Sequence, residues 1–356
     1  MNLPPLLKPI RFRLIAPIVV FLAFSLQAMA ASPLPTYRIA PGRIVVAGIS
    51  SGGAMAVQMS VAYSRIFKGA AIYAGVPYYC AQDSEATALT SCEQNLPAIS
   101  LAPLESTTKQ YAKQRLIDPL AFLHEQRIYL WSGLLDVTVQ QAVMNELAQY
   151  YKDLHAHVLH YDNNFNAAHG WESPYGTDMC NEEATPYVVL CHDSDRSGGG
   201  DSNPYDSEQI WMSEFFGKLK PKNTGTLTGS LLSFDQNEFA PNDEASSIGL
   251  DTTGYAFVPQ QCASGKRACG LILALHGCNQ YYGTIGSAFI DNAGINQWAD
   301  TNNIVVLYPQ TIMSTANPEG CWDWWGYLND PNYAQKSGPQ MQALYLMVNR
   351  ASRRKD

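Results

Sequence analysis

Short apolar runs rich in β-branched residues recur along this chain, and between them apolar positions return every three or four residues. Arg43 to Ala47 (Arg-Ile-Val-Val-Ala), Ala70 to Ala74, Ile128 to Trp131, His155 to Tyr161, Leu271 to Leu275 and Ile304 to Tyr308 predict strands. Helices are expected from Gly52 to about Ser64, from Val139 to about Leu154, over Ala293 to Asn302 and around Gln340 to Arg350. In the first of these, Gly53, Ala54 and Ala56 permit close packing on a sheet. Runs without polar alternation belong to strands covered on both faces, so the pattern predicts the α/β class, a mostly parallel sheet with helices on both sides. The polar segment Leu219 to Gly225, punctuated by Pro and Gly, predicts a surface connection between a half at 31–218 and a half at 226–356.

The first 30 residues are set apart. Lys8, Arg11 and Arg13 form a basic start, Leu14 to Leu26 an apolar stretch, and Ala28-Met29-Ala30 a small-residue cleavage site, the pattern of a removed export signal. The stretch is short for a bilayer span, and nothing later approaches one. A secreted protein, periplasmic or extracellular, is therefore expected, with 31–356 as a single domain large enough for a sizeable core. Of 23 basic and 31 acidic residues, three basic and no acidic ones precede position 31, which leaves a net charge of −11. That excess speaks against nucleic acid or an anionic membrane surface as partner.

Eight cysteines in an exported chain predict disulfides. Local spacing favours Cys80 with Cys92, Cys180 with Cys191, Cys262 with Cys269 and Cys278 with Cys321. No C-x-x-C spacing occurs, so no metal site is expected.

The chemistry begins at Gly48-Ile49-Ser50-Ser51-Gly52. A Gly-x-Ser-x-Gly turn between a strand and a helix lifts a serine hydroxyl above a sheet edge. A hydroxyl becomes a nucleophile only when a histidine takes its proton, and a carboxylate must orient that histidine. Asp136 follows the strand ending at Trp131 and precedes a helix, which puts it on a sheet-edge loop; Asp153 and Asp162 are weaker candidates. His169 lies in Asn166-Ala167-Ala168-His169-Gly170-Trp171, a small-residue loop after the next strand, where a mobile imidazole belongs. His155, His157 and His160 are assigned to an ordinary strand face, with no carboxylate or cysteine nearby to complete a site. Asp193, Asp195 and Ser197 faintly match a calcium loop, but Pro204 stands where a Glu is required, so a solvated loop is expected.

An oxyanion hole needs two backbone donors. Ser51 N–H supplies the first, and Cys278 N–H, in the loop after the strand Leu271-Ile272-Leu273-Ala274-Leu275, the second. A Cys278–Cys321 bridge would hold that loop against Cys321-Trp322-Asp323-Trp324-Trp325. Core packing and a substrate-facing cluster are both open for Trp322, Trp324 and Trp325.

Taken together, Gly48-Ile49-Ser50-Ser51-Gly52-Gly53-Ala54-Met55, Pro77-Tyr78-Tyr79-Cys80-Ala81-Gln82, Leu275-His276-Gly277-Cys278 and Cys321-Trp322-Asp323-Trp324-Trp325 resemble the poly(3-hydroxybutyrate) depolymerase group of esterases, within the α/β-hydrolase superfamily. The resemblance covers most of the chain after residue 30. Usual members run from the His-Gly-Cys strand through the tryptophan motif to the elbow, whereas this chain resembles the circularly permuted single-domain type, in which the elbow half comes first. The resemblance implies a triad of Ser50, Asp136 and His169, oxyanion donors Ser51 and Cys278, and a substrate surface including Tyr78 and the tryptophans. It also implies hydrolysis of poly(3-hydroxybutyrate) or its oligomers; a monomer acting by two-step acyl transfer without a cofactor is expected. The Ser194 to Ser202 loop is longer than the family pattern and no polymer-adsorption domain follows, so amorphous chains or soluble oligomers are expected over crystalline polymer. Competing expectations are a secreted carboxylesterase for feruloyl, acetyl-xylan or aryl esters, and a non-catalytic polymer-binding protein. Permutation further predicts that the helix around Gln340 to Arg350 ends near the strand that starts at Arg43.

Overall fold

Val45, Val46 and Ala47 are all fully buried, and they alternate between two cores: Val46 packs with Leu271, Leu273 and Leu307 on one face of a sheet, Val45 and Ala47 with Ile272, Ala274 and Val306 on the other. A strand apolar on both faces needs cover on both, and helices supply it. The computed structural model describes Met1 and residues 31–353. The expected export segment therefore lies, Met1 apart, outside the described residues.

The main sheet has eight strands. From the first half come β1 (Ile39–Ile49), β2 (Gly69–Tyr73), β3 (Arg127–Trp131) and β4 (His157–Asp162). Three short strands, β5 (Trp171–Glu172), β6 (Asp178–Met179) and β7 (Val188–Leu190), form a separate small sheet. The second half contributes β8 (Ser230–Asp235), β9 (Thr253–Val258), β10 (Cys269–Leu275) and β11 (Ile304–Tyr308). The order across the main sheet is β4-β3-β2-β1-β10-β11-β9-β8, parallel throughout except at β9, which pairs antiparallel with both neighbours.

The halves meet where β1 pairs with β10 in the register Ala47↔Ala274 and Gly48↔Leu275. That register brings Ser50 and His276-Gly277-Cys278 out at the same carboxyl edge of the sheet, the edge at which ligands bind in open α/β folds. The helix Ser51–Ala62 behind the elbow is buried at every position, so its sequence has no polar face. The helices Gln141–Asp153 and Ile295–Asn302 lie close to their expected bounds, and the last helix, Pro339–Ser352, returns to the start of β1, where Tyr37 N–H donates to the Ala351 carbonyl at 2.8 Å. Segment 219–225 runs over the surface along Ile295–Asn302, with Asn223 N–H donating to the Gln297 carbonyl at 2.9 Å. From Ala31 onward the chain packs as one unit. No helix among the described residues is long and apolar enough to cross a membrane.

Several elements carry no clear sequence pattern. In β8, four of six residues are exposed and Leu231 and Leu232 face outward, so no apolar alternation marks it. The helices Leu101–Lys113 and Ser207–Phe216 and the small sheet were likewise not expected.

Candidate active site

Ser50 sits between β1 and its helix at φ +57°, ψ −123°, a strained conformation for a residue with a side chain. Its N–H donates to the Tyr73 carbonyl at 3.0 Å, tying the elbow to β2. The turn is affordable only where neighbouring backbone comes very close: a Cβ at Gly52 would lie 2.2 Å from the His276 carbonyl oxygen. The glycine of the motif is thus dictated by the strand that crosses it.

Asp136 and His169 are brought together by two loops that zip side by side beyond β3 and β4. Leu134 N–H donates to the Phe165 carbonyl at 2.8 Å and Leu135 N–H to the Ala167 carbonyl at 3.0 Å. A Cβ at Gly133 would meet the Ala167 oxygen at 2.0 Å, so the loops could not close on any larger residue. His169 Nδ1 lies 2.8 Å from Asp136 Oδ2, and both side chains are buried. The other Asp136 oxygen accepts from Thr138 N–H at 3.0 Å and Val139 N–H at 2.8 Å, which leaves the carboxylate no freedom to turn. Burial pulls the imidazole down, but the charge and hydrogen bond of Asp136, with Glu183 and Glu93 adding, leave its pKa above the ordinary value. Alongside, Ala168 N–H donates to the Cys180 carbonyl at 2.8 Å, so the Cys180–Cys191 bridge anchors the histidine loop.

Ser50 and His169 line one cleft of about 320 Å³, with Thr138, Tyr187 and Cys278. No hydrogen bond joins Ser50 Oγ to His169 among the described residues, as is common before substrate is bound. Neither Ser51 N–H nor Cys278 N–H donates to a protein acceptor among the described residues, so both remain available to a ligand. The cleft continues into an apolar compartment of about 230 Å³ walled by Leu89, Ala88, Pro318, Trp324 and Trp325.

Two residues expected at a substrate surface are not there. Tyr78 is fully buried and its hydroxyl donates to the Ala334 carbonyl at 2.6 Å. Trp322 is fully buried as well, its Nε1–H donating to the His276 carbonyl at 2.8 Å and its backbone N–H to Ser51 Oγ at 3.4 Å. Trp322 is therefore a brace between the elbow and the end of β10, because its indole donor finds a strand-end carbonyl rather than solvent. Trp324 and Trp325, by contrast, reach the cleft wall.

The weaker acidic candidates lie elsewhere. Asp162 accepts from the Tyr129 and Tyr205 hydroxyls, each at 2.7 Å, and Asp153 is exposed at a helix end. His157 is exposed on β4, His155 precedes it, and His160 contacts Asp162 at 3.1 Å. Asp193 and Asp195 form a short turn in which Asp195 accepts from His192 N–H at 2.7 Å. All eight cysteines are in disulfides, Cys80–Cys92, Cys180–Cys191, Cys262–Cys269 and Cys278–Cys321. The two groups of potential metal ligands among the described residues, Cys180/Cys191/Asp195 and Cys278/Glu319/Cys321, thus have no thiolate to offer.

Residues that no motif announced complete the cleft. Gln280 accepts from Gly277 N–H at 2.7 Å and donates to the Pro186 and Tyr187 carbonyls at 2.8 and 3.1 Å, joining the loop after β10 to the opposite wall. Glu93, Glu183 and Glu319 also line it. Burial and repulsion by Glu319 and Asp136, against the attraction of His169, push the Glu93 carboxyl up to about 7.

No protein-family model matches the chain. It is 42% identical over 328 residues to a poly(3-hydroxybutyrate) depolymerase of Delftia acidovorans, covering 91% of this chain and 62% of that one, so it spans under two thirds of that relative's length. It is 38% identical over 351 residues to a polyhydroxybutyrate depolymerase of Talaromyces funiculosus, covering 92% of this chain and 94% of the relative. Among solved structures, the PHB depolymerase from Penicillium funiculosum superposes with a TM-score of 0.79 at 36% identity, covering 90% of this chain and 99% of the other. A PHB depolymerase variant complexed with an R3HB trimer superposes with a TM-score of 0.78 at the same identity and coverage.

Proposed function

The chain belongs to the poly(3-hydroxybutyrate) depolymerase family, and from that premise we propose that it is a secreted serine esterase that hydrolyses poly(3-hydroxybutyrate) or its oligomers. The observation that carries this reading is the buried His169–Asp136 pair, 2.8 Å apart, opening on the cleft that receives the strained Ser50.

The roles follow from that geometry. Asp136 bonds His169 Nδ1, fixes the tautomer and leaves Nε2 to take the proton of Ser50 Oγ as that oxygen attacks the ester carbonyl. The charge that develops on the carbonyl oxygen is received by the Ser51 and Cys278 N–H groups. The alcohol end departs with the proton, an acyl-enzyme remains on Ser50, and water, activated by His169, releases a 3-hydroxyacid. Trp324 and Trp325 offer an apolar wall to the acyl chain. The relatives' names and the R3HB trimer bound to one of them support the choice of polyester.

Four disulfides suit an oxidising compartment, which supports export, and we read the chain as a monomer. We read the chain order as a circular permutation with segment 219–225 as the joint. Contact between Tyr37 and Ala351 supports it, since the last helix and β1 would be sequential in the unpermuted order, and the pairing of β1 with β10 joins the two halves in one sheet.

The test is mass analysis of products released from amorphous poly(3-hydroxybutyrate), run beside feruloyl and acetyl-xylan substrates. Release of 3-hydroxybutyrate or its short oligomers, abolished by Ser50→Ala, is the expected result; turnover confined to the carbohydrate esters would overturn the substrate.

A further inference from the structure

The cleft has a one-sided charge. Its two compartments are lined by four carboxyl side chains, Glu85, Glu93, Glu183 and Glu319, and by His169, with no lysine or arginine among the lining residues. These glutamates come from separate segments, around the Cys80–Cys92 bridge, beside Tyr187 and before Cys321, so the convergence is tertiary and no run of acids in the sequence announces it. None of the four is in an ion pair within 4.0 Å among the described residues, whereas Glu105, Glu125 and Glu238 elsewhere on the surface are. Burial is the main influence raising the Glu93 carboxyl, opposed by His169, and the charges of Glu319 and Asp136 raise it further, so the acids of the cleft sense one another.

The proposed reaction takes a neutral ester and makes an anion. In deacylation the water oxygen bonds to the acyl carbon, its proton passes through His169 to Ser50 Oγ as the serine ester bond breaks, and the freed carboxylic acid ionises to solvent. At pH above about 7, where Glu93 too is ionised, each turnover thus leaves a carboxylate beside glutamates that have no basic partner. We propose that Glu93, Glu183 and Glu319 make this cleft selective for uncharged ester segments and expel the carboxylate product, so that esters next to a free carboxyl end are cut slowly. This inference rests on the esterase reading and concerns specificity; the three glutamates act through charge and do not bond the reacting atoms.

The test compares kcat/KM of the full chain for two soluble esters of equal acyl length, p-nitrophenyl hexanoate and mono-p-nitrophenyl adipate, which differ by one terminal carboxylate. At about pH 8, where Glu93 is ionised, and at low ionic strength the neutral ester is preferred by roughly tenfold or more, the size expected for two or three like charges across a wet cleft. Added salt of about 0.5 M narrows the preference, because it screens such charges. The triple variant E93Q/E183Q/E319Q loses most of the preference and is inhibited several-fold more strongly by 3-hydroxybutyrate. Because the readout is a ratio, a partly unfolded preparation cancels, and the E319Q single variant, at an exposed position, provides a smaller shift in the same direction. A ratio unchanged by both salt and the triple variant would overturn the proposal and leave the esterase standing. If p-nitrophenyl hexanoate is not hydrolysed in a Ser50-dependent way, the esterase reading falls and this inference with it.

Discussion

Two histidine-bearing loops flank the same elbow, and they hold protons in opposite ways. His169 is buried against Asp136, which raises its proton affinity above the ordinary imidazole despite the burial. His276 is as deeply buried, but its ring nitrogens meet only neutral partners, the Gly277 carbonyl at 2.7 Å and the N–H and hydroxyl of Thr311 at 3.3 and 3.4 Å, and burial lowers its pKa to about 4. Equal burial thus raises proton affinity beside a carboxylate and lowers it beside neutral dipoles, which suits the first ring to the base role proposed for it. The first loop carries the proposed base; the second carries Cys278 and is held by Trp322, by Gln280 and by the bond to Cys321.

The largest effect that would break this division is at Ser50, the nucleophile proposed for both loops to serve. Ser50→Ala is expected to lower kcat on p-nitrophenyl butyrate by roughly 10⁴-fold or more, since the three triad members act as a unit. Residual activity within tenfold of the parent would place the chemistry elsewhere. Next comes Asp136→Asn, for which a fall of about 10³ to 10⁴ in kcat is expected from the wrong tautomer.

That second substitution also sharpens the comparison through pH. His169 must be neutral to act, and its raised pKa puts the acidic limb of kcat/KM above 6.5 in the parent. Removing the Asp136 charge takes away the main influence raising it, so the limb of the variant moves to lower pH. A limb that stays in place would show that another group titrates. Directly, imidazole NMR at about pH 5.5 is expected to find His169 protonated and His276 neutral, because that pH lies below the raised value of one and above the lowered value of the other. Two rings titrating together would erase the distinction.

Smaller effects separate bracing from binding. Replacing Cys278 and Cys321 together by serine releases a loop closed over 43 positions and is expected to destabilise the fold by roughly 4 kcal/mol in thermal unfolding. Its kcat should fall as the Cys278 N–H loses its place. Trp325→Ala is expected to raise KM for an apolar ester several-fold with Tm changed little, whereas Trp322→Ala costs about 3 to 5 kcal/mol of stability, the usual figure for a buried aromatic. If the two tryptophans behave alike, the bracing role assigned to Trp322 is wrong.

The strands that build the site were legible because they are buried on both faces: β1, β2, β3, β10 and β11 contain unbroken apolar runs that only a covered parallel sheet accommodates. The antiparallel edge was not, since β8 is largely exposed and makes few of the demands that leave a pattern. Ser50, Asp136 and His169 could be picked out by residue type and by position after a strand end. Tyr78 and Trp322 were misassigned because an aromatic residue reads the same whether its polar atom meets solvent or a carbonyl.

What the chain determined by itself was therefore local: which segments are strands, which serine stands on a turn, and which histidine and aspartate follow strand ends. These depend on side-chain periodicity and backbone freedom within a few residues. What only the tertiary structure decided was everything set by closeness between distant segments: the register that lays Gly48 against Leu275, the opposite proton affinities of His169 and His276, and the gathering of unpaired glutamates in one cleft. Charge and desolvation act through space, and segments far apart in sequence become neighbours only when the sheet has formed.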